Sequence, residues 1–295
     1  MNCIEEIRRK WPLAYAKCNG ILLKAIPLRE HLELTASLST CLFRERFRVL
    51  RSILSGELIK LRDIIDLEEL VYTIGLLHDL GKASTRYYEV FAKHVKSSRS
   101  TIELRFYGHE HITSCLIEMA ILFEREDEMF IAACDLLSKV ISRHHSAMEE
   151  RHPLSFSPRF NFTEIVSGMC NSSVISFIER ELLTTCNKKS YNLCTRVLRA
   201  LTRYIENKWL CEQTTWFKCK RGIQGFSISG LSTSLSERSL RDVYRLVSTL
   251  TGMLIIADNL VADYEERSSD EGSSRLYVVH WKRELSNYLE KCLRD

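Results

Sequence analysis

Apolar residues recur along this chain mainly at helical spacing. Over residues 28–54, His31, Leu34, Leu38, Leu42 and Phe43 fall roughly along one face, and Arg44, Arg46, Arg48 and Arg51 spread around the second half. The spacing predicts a stronger helix over 66–80. Asp66 is placed to cap it, with Glu69 three residues on in capping-box position. Leu67, Leu70, Val71, Ile74, Leu77 and His78 follow its apolar stripe, and Gly81 is placed to end it. Two further core helices are predicted at 109–125 and 129–145. Residues 146–163 hold two prolines and read as a loop. Residues 164–215 look helical, the Gly/Ser-rich stretch 220–237 reads as a hairpin or a loop, and helices follow at 238–264 and about 277–293. The expected fold class is therefore all-α.

Composition sharpens this picture. A chain of 295 residues that is 45% hydrophobic can bury a substantial core, and only four prolines and eleven glycines argue against a loop-rich or all-β protein. No run approaches the roughly 18 consecutive apolar residues of a membrane span, so no membrane association is expected. The start, MNCIEEIRRKWPLAYAKCNG, lacks the basic-then-apolar order of a signal sequence, so a cytoplasmic location is expected. Eleven cysteines without a CxxC pair resemble neither a disulfide scaffold nor a zinc ribbon. Most are expected as small buried apolar residues, with bridges an open alternative, especially among those between 170 and 219.

The net charge of +4 is unevenly placed. Lys82, Arg86, Lys93, Lys96, Arg99 and Arg105 face only Glu89 and Glu103 in the stretch 82–105. A phosphate-rich ligand would be drawn there. An ordinary solvated helix face would look the same.

The chemistry concentrates on His78-Asp79, in GLLHDLGK at the end of the apolar helix. Burying an ionised carboxylate without a partner is strongly unfavourable, and a metal ion offsets that cost. His31 lies before the pair; His109, His144-His145 and Asp258 lie after it. Five imidazoles and two carboxylates exceed what one tetrahedral metal needs. They suit two metals bridged by a carboxylate, the arrangement that hydrolyses phosphodiesters. Three positions have rivals. His111 is about 200° around a helix from His109. His144-His145 could supply one ligand instead of two. Asp258 shares its helix with Asp242 and Asp263, but lies on the stripe Leu250, Leu254, Val261. His94, His152 and His280 read as surface residues.

His31, HDLGK at 78–82, GHEHITS at 108–114, ISRHHSAM at 141–148 and IADNLVAD at 256–263 together resemble the CRISPR-associated HD nuclease, within the HD superfamily of metal-dependent phosphohydrolases. The resemblance covers about 1–150 and 240–295. It implies a single HD-domain helical bundle over 1–295 with an insertion at 151–237. It also implies that His31, His78, Asp79 and Asp258 hold one metal, that Asp79, His109, His144 and His145 hold the second, and that Lys82 faces the phosphate. The partners it implies are single-stranded DNA, a separate CRISPR helicase subunit and an RNA-guided surveillance complex. Imidazole-rich ligation favours Mn, Ni, Co or Fe, with Mg weaker. Two other functions fit less of the sequence: a nucleotide or cyclic-nucleotide phosphohydrolase of the same superfamily, and a non-catalytic module that keeps the fold.

Overall fold

The computed structural model describes residues 2–54, 66–98, 100–121, 127–145, 161–207, 211, 237–267 and 291–292. The chain enters through α1 (Cys3–Lys10) and a hairpin of β1 (Leu13–Asn19) and β2 (Ile21–Pro27). Helix α2 (Leu28–Phe43) follows directly, then a 3-10 turn and α3 (Phe47–Ile53). Next come α4 (Leu67–Leu77), a 3-10 turn at Leu80–Ala83, α5 (Thr85–Ser97) and the short β3 (Ile102–Glu103). Helices α6 (His109–Ile121) and α7 (Glu128–Ile141) pack as a pair. Beyond them lie α8 (Phe162–Met169), α9 (Ser172–Phe177), a π-helical turn, α10 (Leu183–Lys188), α11 (Asn192–Glu206) and the long α12 (Glu237–Arg267).

The protein is helical, as the periodicity predicts, with one addition. The three strands form an antiparallel sheet in the order β2-β1-β3. Buried Leu13, Ala14, Ala16 and Cys18 on β1 alternate incompletely with partly exposed Tyr15 and Lys17. Gly20, at φ 69°, makes the tight turn between the strands. The alternation on β1 is imperfect and β2 is partly buried along most of its length, so neither strand carries a clear period of two.

Helix α4 begins as predicted, with the Asp66 carboxylate accepting from the backbone N–H of Glu68 and Glu69. The other half of the capping box does not form. Glu69 instead accepts from the N–H of Cys194, near the start of α11. Gly81 does not end the helix by a left-handed turn. It sits in the 3-10 turn, tight against the carbonyl of His109, and its N–H donates to Thr113 Oγ1 at 2.7 Å. Gly75 has a similar task. A Cβ there would lie 2.6 Å from Cα of Ala36, so α2 and α4 meet backbone to backbone. That close approach sets His31 of α2 beside His78.

The stretch read as an insertion is partly core. Val166, Val174, Leu182, Val197 and Leu201 belong to the same buried cluster as α4 and α6. Helix α8 packs on α5, and α11 packs on α4 and α6. Residues 220–236 and 277–290 lie outside the described residues. Among the described residues, eight cysteines are bridged, as Cys3–Cys18, Cys41–Cys292, Cys170–Cys211 and Cys186–Cys194, while Cys134 is packed in the core. Cys41–Cys292 ties the distal chain to α2, the helix that carries His31.

Among the described residues, one helix segment, Arg241–Glu265, is long and apolar enough to cross a membrane by length and composition. Its apolar stripe, Val243, Leu246, Leu250, Leu254 and Val261, is buried. It packs against α2, α4 and α7 as a core helix of the bundle.

Candidate metal centre

Five elements deliver the centre. His31 comes from the first turn of α2, and His78-Asp79 from the junction after α4. His109 opens α6, His144-His145 lie in the turns after α7, and Asp258 comes from the middle of α12. Two groups of potential ligands result: His31, His78, Asp79 and Asp258, and Asp79, His109, His144 and His145. In each group the donor atoms all lie within 4.8 Å of one another. All the sequence-predicted ligands are thus brought together, and His111 and Asp263 belong to neither group.

Asp79 belongs to both. Its Oδ2 lies 3.3 Å from Nε2 of His31 and of His78, and Asp258 Oδ1 lies 3.2 and 3.4 Å from the same two atoms. Its Oδ1 faces the other way, 2.7 Å from His109 Nε2 and 3.3 Å from His144 Nε2. His145 Nε2 lies 3.1 Å from His109 Nε2. One carboxylate therefore offers one oxygen to each group.

Hydrogen bonds on the far side of each ring decide which nitrogen points inward. Nδ1 of His78, His109 and His144 each bonds a backbone carbonyl three residues back: Gly75 at 2.7 Å, Phe106 at 2.5 Å and Ile141 at 2.6 Å. His31 differs. Its Nδ1 lies 3.0 Å from Oε2 of Glu265, two turns beyond Asp258 on α12. In all four rings the proton is drawn to Nδ1, leaving an Nε2 lone pair toward the centre. Glu265 was not foreseen, because the acidic end of a helix reads as a solvated face.

These residues fit a divalent metal. Nε2 of His31, His78 and His144 and Oδ1 of Asp79 are buried with no hydrogen-bond partner. Buried polar atoms left this way are costly, and ligation is the natural remedy. The spacing also suits. Two donors each about 2.1 Å from one ion lie about 3.0–3.4 Å apart for octahedral or tetrahedral angles.

The electrostatics agree. Burial pushes the Asp79 carboxyl up, but His78, Lys82 and His109 outweigh it and hold it well below the usual carboxylate range. Asp258 is also held low, against burial, by the adjacent His31 and His78. Burial opposes charge on His31, yet Asp258, Asp79 and Glu265 raise it well above its usual value. His78 is likewise raised to about 9 against burial, chiefly by Asp79. Burial and the neighbouring His144 and His109 push His145 well down. Two ionised carboxylates thus attract positive charge into a buried site, where protons and metal compete for the same imidazoles.

Lys82 pairs with Asp79 Oδ2, and its ammonium lies 5.3 Å above the Phe106 ring. The basic stretch divides. Arg86 is engaged by Glu89 at 2.9 Å and by Glu164 of α8, so its charge ties α5 to α8 and it is a poor candidate for binding nucleic acid. Lys93 and Lys96 are exposed on α5, and Arg105 is exposed after β3. Arg99 lies outside the described residues. Asp263, off the ligand face by its spacing, is nonetheless buried.

A family model described as "Cas3, HD domain" matches residues 16–263, most of the chain. The chain belongs to the Cas3 HD-domain family. No curated protein and no solved structure matches it. As a Cas3 HD domain it is a metal-dependent hydrolase of the nuclease type, with divalent metal as cofactor, nucleic acid as substrate and a CRISPR system as context. The match spans His31 through Asp258 and stops short of Glu265.

Proposed function

We propose that this Cas3 HD domain hydrolyses phosphodiester bonds of single-stranded DNA at a two-metal centre. The observation that carries the reading is Asp79, whose two oxygens face two separate groups of donors. His31, His78 and Asp258 would hold one ion with Asp79, and His109, His144 and His145 the other. Divalent metals bound there would supply Lewis acidity at the phosphoryl oxygens and activate water at neutral pH. The imidazole-rich shells favour Mn, Ni, Co or Fe over Mg.

The chain's own residues do the rest. The Nδ1 bonds hold each ring in one tautomer and one orientation. Lys82 holds its ammonium against Asp79, where it can turn to a phosphate oxygen and offset charge as it develops. Lys93, Lys96, Arg99 and Arg105 attract the strand. In this reading the domain works in the cytoplasm with a separate CRISPR helicase subunit and an RNA-guided surveillance complex.

The test compares cleavage of single-stranded DNA, duplex DNA and free nucleotides, each with Mn, Co, Ni or Mg. Fast cleavage of the single strand with transition metals supports the reading. Hydrolysis of nucleotides alone would replace it with a nucleotide phosphohydrolase.

A further inference from the structure

Lys82 has a second neighbour besides Asp79. It lies in the 3-10 turn Leu80–Ala83, and its side chain is only 14% exposed. Its ammonium sits over the ring of Phe106, 5.3 Å from the centroid. The face of an aromatic ring is negative, and it attracts an ammonium within about 6 Å, more strongly when both are withdrawn from water. A charge withdrawn this far is costly without a partner. Asp79 is a partner that Lys82 must share, since the same carboxylate belongs to both donor groups. The ring is a partner for which no metal competes.

Phe106 is buried between β3 and α6, and its ring is held from several sides. Tyr87 of α5 meets it at 5.2 Å and a steep 71°, Trp11 packs at 6.4 Å, and His109 lies at 6.5 Å. The indole N–H of Trp11 donates to the carbonyl of Ala83 at 3.2 Å, so the residue that braces the ring also braces the turn carrying Lys82. The Tyr87 hydroxyl donates to the Tyr107 carbonyl at 2.6 Å and steadies the backbone just after Phe106. Phe106 serves two neighbours through different parts. Its carbonyl accepts from His109 Nδ1, and a side-chain substitution leaves that carbonyl in the chain. Its ring faces Lys82.

We propose that Phe106 is a positioning residue for phosphodiester hydrolysis: its ring seats the Lys82 ammonium beside the metal centre, so that this charge stays in place for a phosphate oxygen while Asp79 is engaged by metal. The inference rests on the nuclease reading and deepens it. Lys82 offsets charge that develops as the phosphodiester breaks, and a charge already held in place does so without reorganising at that moment. The seat therefore contributes to turnover and little to strand binding. A ring that only filled space would show no dependence on its charge distribution or on the presence of Lys82.

The test replaces Phe106 in the full chain by phenylalanines carrying increasing numbers of ring fluorines, which keep the ring's shape and weaken the negative charge on its face. With Mn and saturating single-stranded DNA, kcat should fall stepwise along the series, by about 3- to 30-fold in total. KM should change by less than about twofold, and the count of Mn bound per chain should stay the same. Phe106→Tyr should keep most of kcat, and Phe106→Leu should lose as much as the fluorinated series. In a Lys82→Ala background the series should be flat. In the metal-free chain the ring current of Phe106 should shift the Lys82 ε-methylene protons upfield, and Phe106→Leu should return them to ordinary lysine values. A flat series in a chain that retains Lys82 and cuts DNA, an equal slope in Lys82→Ala, or an unshifted Lys82 signal overturns the seat and leaves the nuclease reading standing. If the wild type cuts no strand with any metal, the nuclease reading falls and the seat falls with it.

Discussion

His31 is held at both ring nitrogens by carboxylates from one helix: Nε2 lies 3.2 Å from Asp258 and Nδ1 lies 3.0 Å from Glu265. The two acids are seven residues apart, two helical turns, and so share a face of α12. Lys24 in the middle of β2 donates to the backbone carbonyl of Glu265 at 2.6 Å, tying the helix end to the strand that leads into α2. Substituting Glu265→Gln should weaken metal binding at the His31 group by about 10- to 100-fold, the range typical of lost second-shell partners. The group containing His109 should be spared. Metal titration resolving two affinities checks this, and equal loss at both would contradict it.

His109 and His111 test the register of α6. His109 lies in a donor group, and His111 is buried outside both, 3.8 Å from Glu110. Cleavage should fall by orders of magnitude in His109→Ala. In His111→Ala the main loss should be stability, of about 1–3 kcal/mol, the usual range for a buried substitution. Cleavage rates together with denaturant melts separate the two effects.

Much of the centre was legible in the sequence. The stripe through Leu250, Leu254 and Val261 put Asp258 on the face that the structure turns toward His31 and His78, and the apolar run ending at His78 pointed to the junction after α4. Both are local periodicities. Glu265 was not legible, because its role depends on His31 and Lys24, more than 200 residues away, packing onto α12. The hairpin was missed for a different reason: β1 is short and its alternation imperfect. That α11, within the stretch 151–237, packs on α4 and α6 was not legible either, because no local pattern encodes such a contact.

Gly75 offers a test of how packing sets the centre. A methyl group there would meet the α2 backbone at Ala36. Gly75→Ala should cost about 1–3 kcal/mol, as overpacking does, and should weaken metal binding by moving His31 away from His78. Thermal melts with and without Mn measure both terms. Unchanged metal affinity would show that α2 can shift without disturbing the ligands.

Exposed Lys93 and Lys96 test the electrostatic role of α5. Neutralising both should weaken strand binding and lower the salt slope by between one and two, since each phosphate contact contributes about 0.7 for single strands. Neutralising Arg86 should instead loosen α8, because its charge is engaged by Glu89 and Glu164. Binding isotherms at several salt concentrations distinguish a contact from a solvated face.

The central claim is that Asp79 joins two metal ions into one hydrolytic centre. It is tested most directly by counting Mn bound per chain in wild type and Asp79→Ala, alongside cleavage of single-stranded DNA. The account predicts two ions and cleavage for the wild type. It predicts a folded variant that binds fewer ions and has lost cleavage by orders of magnitude. A folded Asp79→Ala protein that still binds two ions and cuts DNA at a substantial rate would contradict it.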